Sequence, residues 1–128
     1  MLREIANLVF GYMNATQNGK PISLYPYCTL RLVEWYGQKN FTIQQAEKSI
    51  AEYYKAWPYQ NTRFDPSQLR IEAIDGQPNV YTAILPFDWS ASNGKKSQSG
   101  HSVLQVLVTL TTNGYGYRIT AVMNHKAT

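Results

Sequence analysis

Few side chains in this sequence can carry acid–base or nucleophilic chemistry, and their spacing decides which of them can meet. The 128 residues include two histidines and one cysteine. Asp88, in the run PFDWS, and His101 stand on either side of the small polar stretch SASNGKKSQSG, each at the border of a segment with strand character. A hairpin joining those segments would set the carboxylate and the imidazole across from one another as an acid–base dyad. The structural alternative makes Asp88 a turn cap and His101 a solvated side chain. His125 lies near the C-terminus, and two distant histidines with one cysteine offer no metal-ligand spacing, so neither a metal nor a cofactor is expected. Cys28 follows an aromatic stretch without a basic neighbour, which suits a buried inert thiol better than a nucleophile. No glycine-rich phosphate loop or nucleophile elbow is present.

The elements that must hold such groups are organised around Phe41 to Phe64. Thr42 with Gln45 three residues later forms a capping box, so a helix starts there. Ile43, Ala46, Ile50, Tyr53 or Tyr54, and Trp57 recur at helical steps and make one apolar stripe. Pro58 ends the helix near Trp57, and the indole is expected to wedge between helix and sheet. An earlier helix is expected from Leu2 to about Thr16, on a stripe of Leu2, Ile5, Leu8 or Val9, Tyr12 and Met13. Gly11 inside it costs about 1 kcal/mol relative to Ala, which points to close packing at that position. Lys20 to Tyr27, bracketed by prolines, permits one helical turn or an irregular link.

Cys28 to Tyr36 reads as a strand ended by Gly37. After the central helix the period becomes two, with strands expected at Arg63 to Ile74, Asn79 to Trp89, His101 to Thr112 and Tyr115 to Asn124. Asn113-Gly114 is the strongest hairpin signal, and Ser90 to Gly100 reads as a mobile loop. In the third of those strands Leu104, Val106, Val108 and Leu110 share the core face. Val103, Gln105, Leu107, Thr109 and Thr111 share the other, an uncharged mix suited to a homodimer through the outer sheet face. Helix, turn, strand, helix and then a meander of strands make an α+β domain, residues 1–128, with helices covering one face of a curved antiparallel sheet.

Composition excludes some partners. The net charge is +4, but the twelve basic residues are scattered, with only Lys95 and Lys96 adjacent, so no stripe tracks a phosphate backbone and nucleic acid is not expected. No apolar run approaches a membrane span, and the opening MLREIANLVF lacks the pattern of a signal peptide, which leaves the compartment open. Ten tyrosines and three tryptophans suit a pocket wall or an interface.

The element order resembles that of the nuclear-transport-factor-2-like (NTF2-like) superfamily, a cone-shaped fold that includes ketosteroid isomerases, scytalone dehydratases and polyketide cyclases. More locally, VEWYG at Val33 to Gly37, then Lys48, Tyr54 and Trp57-Pro58, is similar to a pattern of bacterial NTF2-like domains. The chain departs from it at Gln60, where those domains commonly carry a basic residue. The resemblance implies a pocket between the inner sheet face and the helices, walled here by Trp35, Tyr53, Tyr54 and Trp57. It also implies a carboxylate base near the end of the first strand, where this chain has Trp35, and a donor tyrosine near Tyr12. Glu34 cannot stand in for the base, because neighbouring strand residues point to opposite faces. The leading expectation is therefore a non-catalytic module binding a small apolar ligand or a protein segment. The alternatives are an isomerase, dehydratase or cyclase using Asp88 or His101 with Tyr12, and a purely structural dimerisation domain.

Overall fold

The computed structural model describes residues 1–17 and 23–126. Its elements run α1 (Leu2–Gln17), β1 (Arg31–Trp35), β2 (Gln38–Thr42), α2 (Ile43–Ala56), β3 (Tyr59–Arg63), a 3-10 turn (Pro66–Gln68), β4 (Arg70–Ile74), β5 (Gln77–Ser92), β6 (Ser97–Leu110) and β7 (Tyr117–Lys126). The strands form one open sheet in the order β2-β1-β7-β6-β5-β3, with β4 also on β5. Two helices on this sheet give the expected α+β cone. The sheet is mixed rather than purely antiparallel, because β1 runs parallel to β7.

Local chemistry sets the element ends. The capping box is formed: Gln45 N–H donates to Thr42 Oγ1 (3.2 Å), and Thr42 N–H donates to Gln45 Oε1 (2.9 Å). Trp57 is the C-cap of α2, its N–H reaching Tyr53 O, and Pro58 then forbids continuation. The link before β1 contains a single helical turn, in which Tyr27 and Cys28 N–H donate to Leu24 O. Glu47 Oε2 accepts from Leu24 N–H at 2.7 Å, tying that turn to α2. The close packing expected at Gly11 is present: a Cβ there would lie 2.8 Å from the Tyr27 ring.

The core forms where α1 lays Ile5, Val9, Tyr12 and Met13 against the sheet. Leu85, Leu104, Val106, Val108, Ile119 and Val122 answer from β5, β6 and β7, all at most 1% exposed. The face assigned to Leu104, Val106 and Val108 is thus the inner one, with Leu110 partly buried at its end. Among the described residues no helix is long and apolar enough to cross a membrane.

Six expectations are corrected. Gly37 does not end a lone strand: Tyr36 (φ 46°) and Gly37 (φ 90°) form a two-residue hairpin turn, and the chain returns as β2 before α2 begins. Cys28 joins the sheet only through an isolated bridge to Ile119. The strand expected from Arg63 to Ile74 is split, because Asp65 caps the 3-10 turn begun by Pro66. Ser90 to Gly100 is no loop. Ser90 pairs with Ser99, Ala91 with Gln98 and Ser92 with Ser97, while the Asn93 side chain accepts from the Lys95 and Lys96 N–H groups to close a tight turn. The hairpin at Asn113-Gly114 is wider than a two-residue turn, running from Thr111 to Gly116 and latched by Thr111 N–H and Oγ1 donating to Gly116 O.

Trp57 is the sixth. It is half-buried and lies outside the core, while α2 fully buries only Ile43 and Ala46. The helix that organises the sequence therefore contributes less to the core than α1 does.

Candidate functional site

Between α1, α2 and the inner sheet face lies a cavity of about 620 Å³. The helices reach it with Tyr12, Met13 and Thr16 of α1 and Ser49, Ile50 and Tyr53 of α2. The β1–β2 hairpin supplies Trp35, Tyr36 and Gln38, and β3 supplies Gln60 and Thr62. Alternation on the long strands delivers Phe87, Trp89 and Ala91 from β5, with Ser90 between them also touching the wall, and Ser102 and Leu104 from β6. The volume suits a small organic ligand.

Six aromatic rings, from Tyr12, Trp35, Tyr36, Tyr53, Phe87 and Trp89, stand in the wall. Trp35 packs edge-on against Tyr36 (centroids 4.6 Å apart) and stacks on Phe41 (6.5 Å). The Trp89 indole lies over Gly100, whose missing Cβ leaves room for it: an added one would meet the ring at 3.1 Å. The polar groups are hydroxyls and carboxamides: Thr16, Gln38, Ser49, Gln60, Thr62, Ser90 and Ser102, with the phenols of Tyr12, Tyr36 and Tyr53. Tyr12 Oη and Tyr36 Oη are 3.3 Å apart and share a hydrogen bond. Tyr12 is buried, and Tyr36, although 45% exposed as a residue, has its hydroxyl desolvated against it; both phenols are thereby held above the ordinary tyrosine range and are neutral at physiological pH. The hydrogen bond from Tyr12 partly offsets the shift at Tyr36.

Ser102 is 5% exposed and is the buried polar residue of the described core. Its hydroxyl has no hydrogen-bond partner among the described residues. A buried hydroxyl without a partner, facing a cavity, is a vacant attachment point.

The cavity wall contains no Asp, Glu, His, Lys, Arg or Cys among the described residues. Of the residues expected from the sequence, Tyr12, Trp35 and Tyr53 do line it. Tyr54 instead borders an adjoining groove with β3 and the β5–β6 arm that shares Gln60, Ser90 and Ala91 with the cavity, and Trp57 is absent from the cavity wall. Asp88 and His101 are indeed directly paired across β5 and β6, with His101 Nδ1–H donating to Asp88 Oδ1. They sit on the outer face, opposite the cavity, with side chains 56% and 74% exposed. The structure therefore brings the dyad together but separates it from Tyr12.

Cys28 is buried, and burial pushes its thiol up to about 12, with the charge of Glu47 adding to the shift. It is the inert thiol expected. No group of three or more metal-ligating side chains exists among the described residues.

Sequence reasoning missed Tyr36, Phe87, Trp89, Thr62 and Ser102. For Phe87, Trp89 and Ala91 the signal is their parity with the core residue Leu85, and for Ser102 its parity with Leu104.

No family model matches the sequence, and no curated protein matches it. Solved structures do. An NTF2-like superfamily protein from Salmonella enterica serovar Typhimurium LT2 superposes with a TM-score of 0.80 at 13% identity, over 98% of this chain and 90% of that one. A protein with a cystatin-like fold from Caulobacter vibrioides gives 0.74 at 13% identity, over 97% and 87%. A candidate scytalone dehydratase from Novosphingobium aromaticivorans gives 0.71 at 9% identity, over 99% and 84%. At such identities the likeness establishes the fold, and the chain has the NTF2-like fold.

Proposed function

We propose that this NTF2-like chain is a binding module whose cavity takes a small, uncharged, largely apolar molecule with a single hydrogen-bonding group. The observation that carries the reading is the wall itself, which is rich in aromatic rings, of ligand size, and among the described residues without an ionisable group other than tyrosine. Acid–base chemistry near neutral pH needs a group poised to take a proton there, and neutral phenols held above their ordinary range can donate but not accept it. An ionic ligand would lose its hydration without gaining a counter-charge. Planar apolar ligands stack on Trp35 and Trp89, and a hydroxyl or carbonyl on them finds Ser102 or the Tyr12–Tyr36 pair.

The test is a titration of intrinsic tryptophan fluorescence with 2-naphthol, which is neutral and planar with one hydroxyl, against 2-naphthoate, its anionic analogue. Saturable quenching by 2-naphthol at least tenfold tighter than by 2-naphthoate is expected, and Ile50→Trp, which intrudes on the cavity, should abolish it while circular dichroism stays unchanged. Equal binding of the two probes, or no saturable response, overturns the reading. Catalysed isomerisation of a β,γ-unsaturated ketone by the purified chain would replace it with the enzyme alternative.

A further inference from the structure

A second hollow lies on the opposite side of the sheet, where β3, β5 and β6 run together past the end of the core. The register there stacks three cross-strand rows on the outer face. Arg63, Asp88 and His101 form the first, Asn61, Ser90 and Ser99 the second, and Tyr59, Ser92 and Ser97 the third. The middle row is small, with Arg63, Asp88 and His101 on one side and Tyr59 standing beside Ser92 and Ser97 on the other, so the surface dips between the charged end and the tyrosine. A hollow of about 360 Å³ lies in it over Asn61, Arg63, Asp88, Ser90, Ser99 and His101; the adjoining hollow of about 720 Å³ takes in Tyr59, Ser92 and Ser97 but also Tyr54, and shares Gln60, Ser90 and Ala91 with the cavity.

The first row fixes the chemistry at one end. Asp88 is held by His101, and Arg63 beyond it makes no ion pair among the described residues. Anion, cation and imidazole therefore face one space with opposed charges side by side. A phosphate drawn to Arg63 would meet the Asp88 carboxylate, and an ammonium drawn to Asp88 would meet Arg63. A purely apolar ligand would strip water from serine and carboxamide groups and return nothing. A neutral molecule dense in hydroxyls has neither fault. Each hydroxyl both donates and accepts, matching Asn61, Ser90 and Ser99, while the carboxylate accepts and the guanidinium donates. At the far end Tyr59 is 66% exposed, an open ring on which the C–H face of a pyranose can lie.

We propose that this outer trough, on the face of the sheet away from the Tyr12–Tyr36 pair and meeting the cavity only along Gln60 and Trp89 to Ala91, is a carbohydrate-binding site. An open trough without a lid leaves the ligand part-solvated, so binding to single sugars is weak, and longer saccharides gain by spanning from Tyr59 to the Arg63 end.

The experiment is a 15N–1H NMR titration of the chain with glucose, galactose, mannose, N-acetylglucosamine and their β-linked disaccharides, with glycerol as a polyol control. At least one sugar is expected to give saturable shifts at the amides of Asn61, Ser90 and Ser99, with the disaccharide tighter than its monomer and cavity amides such as Leu104 unmoved. Tyr59→Ala and Ser99→Arg, both at exposed positions, should each weaken binding tenfold or more without changing the melting temperature. Several results would overturn the site: no saturable shift with any sugar, the same shifts with glycerol, shifts confined to the cavity, undiminished binding by both variants, or inorganic phosphate binding the trough more tightly than every sugar.

Discussion

Replacing Ser102 by alanine separates a structural hydroxyl from a functional one. If this hydroxyl were part of the fold's hydrogen bonding, its removal would cost about 1 kcal/mol. The structure shows a side chain 95% removed from solvent, since the residue is 5% exposed, with no partner among the described residues. Burying an unpaired hydroxyl costs roughly 1–3 kcal/mol in proteins, and a cavity large enough to admit water returns part of that. Ser102→Ala is therefore expected to stabilise the free protein by about 1 kcal/mol. For a domain of this size that is a rise in melting temperature of roughly 3–6 °C. Calorimetry and urea unfolding at pH 7 measure it, and the naphthol titration measures the opposite effect on ligand, a loss of several-fold in affinity. A variant less stable than the parent by 1 kcal/mol or more would show that the hydroxyl is satisfied within the fold. A stabilised variant with unchanged affinity would keep the unpaired hydroxyl but remove it from recognition.

Gly11→Ala should destabilise by about 1–3 kcal/mol, although alanine is the better helix former, because the new methyl must displace the Tyr27 ring; a chemical-unfolding midpoint above the parent's would refute the close packing. Trp57→Ala should cost only about 1–2 kcal/mol, less than the roughly 3–5 kcal/mol of a fully buried indole, and loss of folding would restore the wedge that its position denies it. We propose a homodimer through Val103, Gln105, Leu107 and Thr109, which are partly buried on the outer face, whereas Thr111 serves the β6–β7 loop. Leu107→Lys should then convert the dimer to monomer in sedimentation at micromolar concentration, and a parent that is already monomeric removes the proposal.

What the sequence could say depended on whether an element is fixed by its own residues. The start of α2 was legible because Thr42 and Gln45 satisfy each other's backbone within one turn, and its end because Pro58 acts on its immediate neighbour. The β1–β2 hairpin was not, since it puts a tyrosine at positive φ, and QKNFT shows no alternation to mark a strand. The arm from Ser90 to Gly100 was misread for a related reason. Its serines, glutamine and lysines have loop composition, and they are strands because each is paired with a neighbour, which is a tertiary effect. Trp57 was overvalued because helical period tells which residues share a stripe, not how far along the helix the sheet still lies beneath it.

The placement of the dyad is the most instructive of these, because the sequence contained enough to decide it. Leu104, Val106 and Val108 define the inner face of β6, and they are all 1% exposed or less. His101 lies an odd number of residues from Leu104, so on an unbroken strand it must point outward, and its partner Asp88 shares that face. A bulge between positions 101 and 104 would be needed to turn the imidazole into the cavity. The pairing of β5 with β6 runs in one register from Val80 opposite Thr109 to Ser92 opposite Ser97, and the shift between Leu107 and Val108 is on the β7 side. Parity alone therefore puts the carboxylate–imidazole pair on the side of the sheet where the saccharide trough lies, and leaves the cavity to aromatic rings and neutral hydroxyl and carboxamide groups.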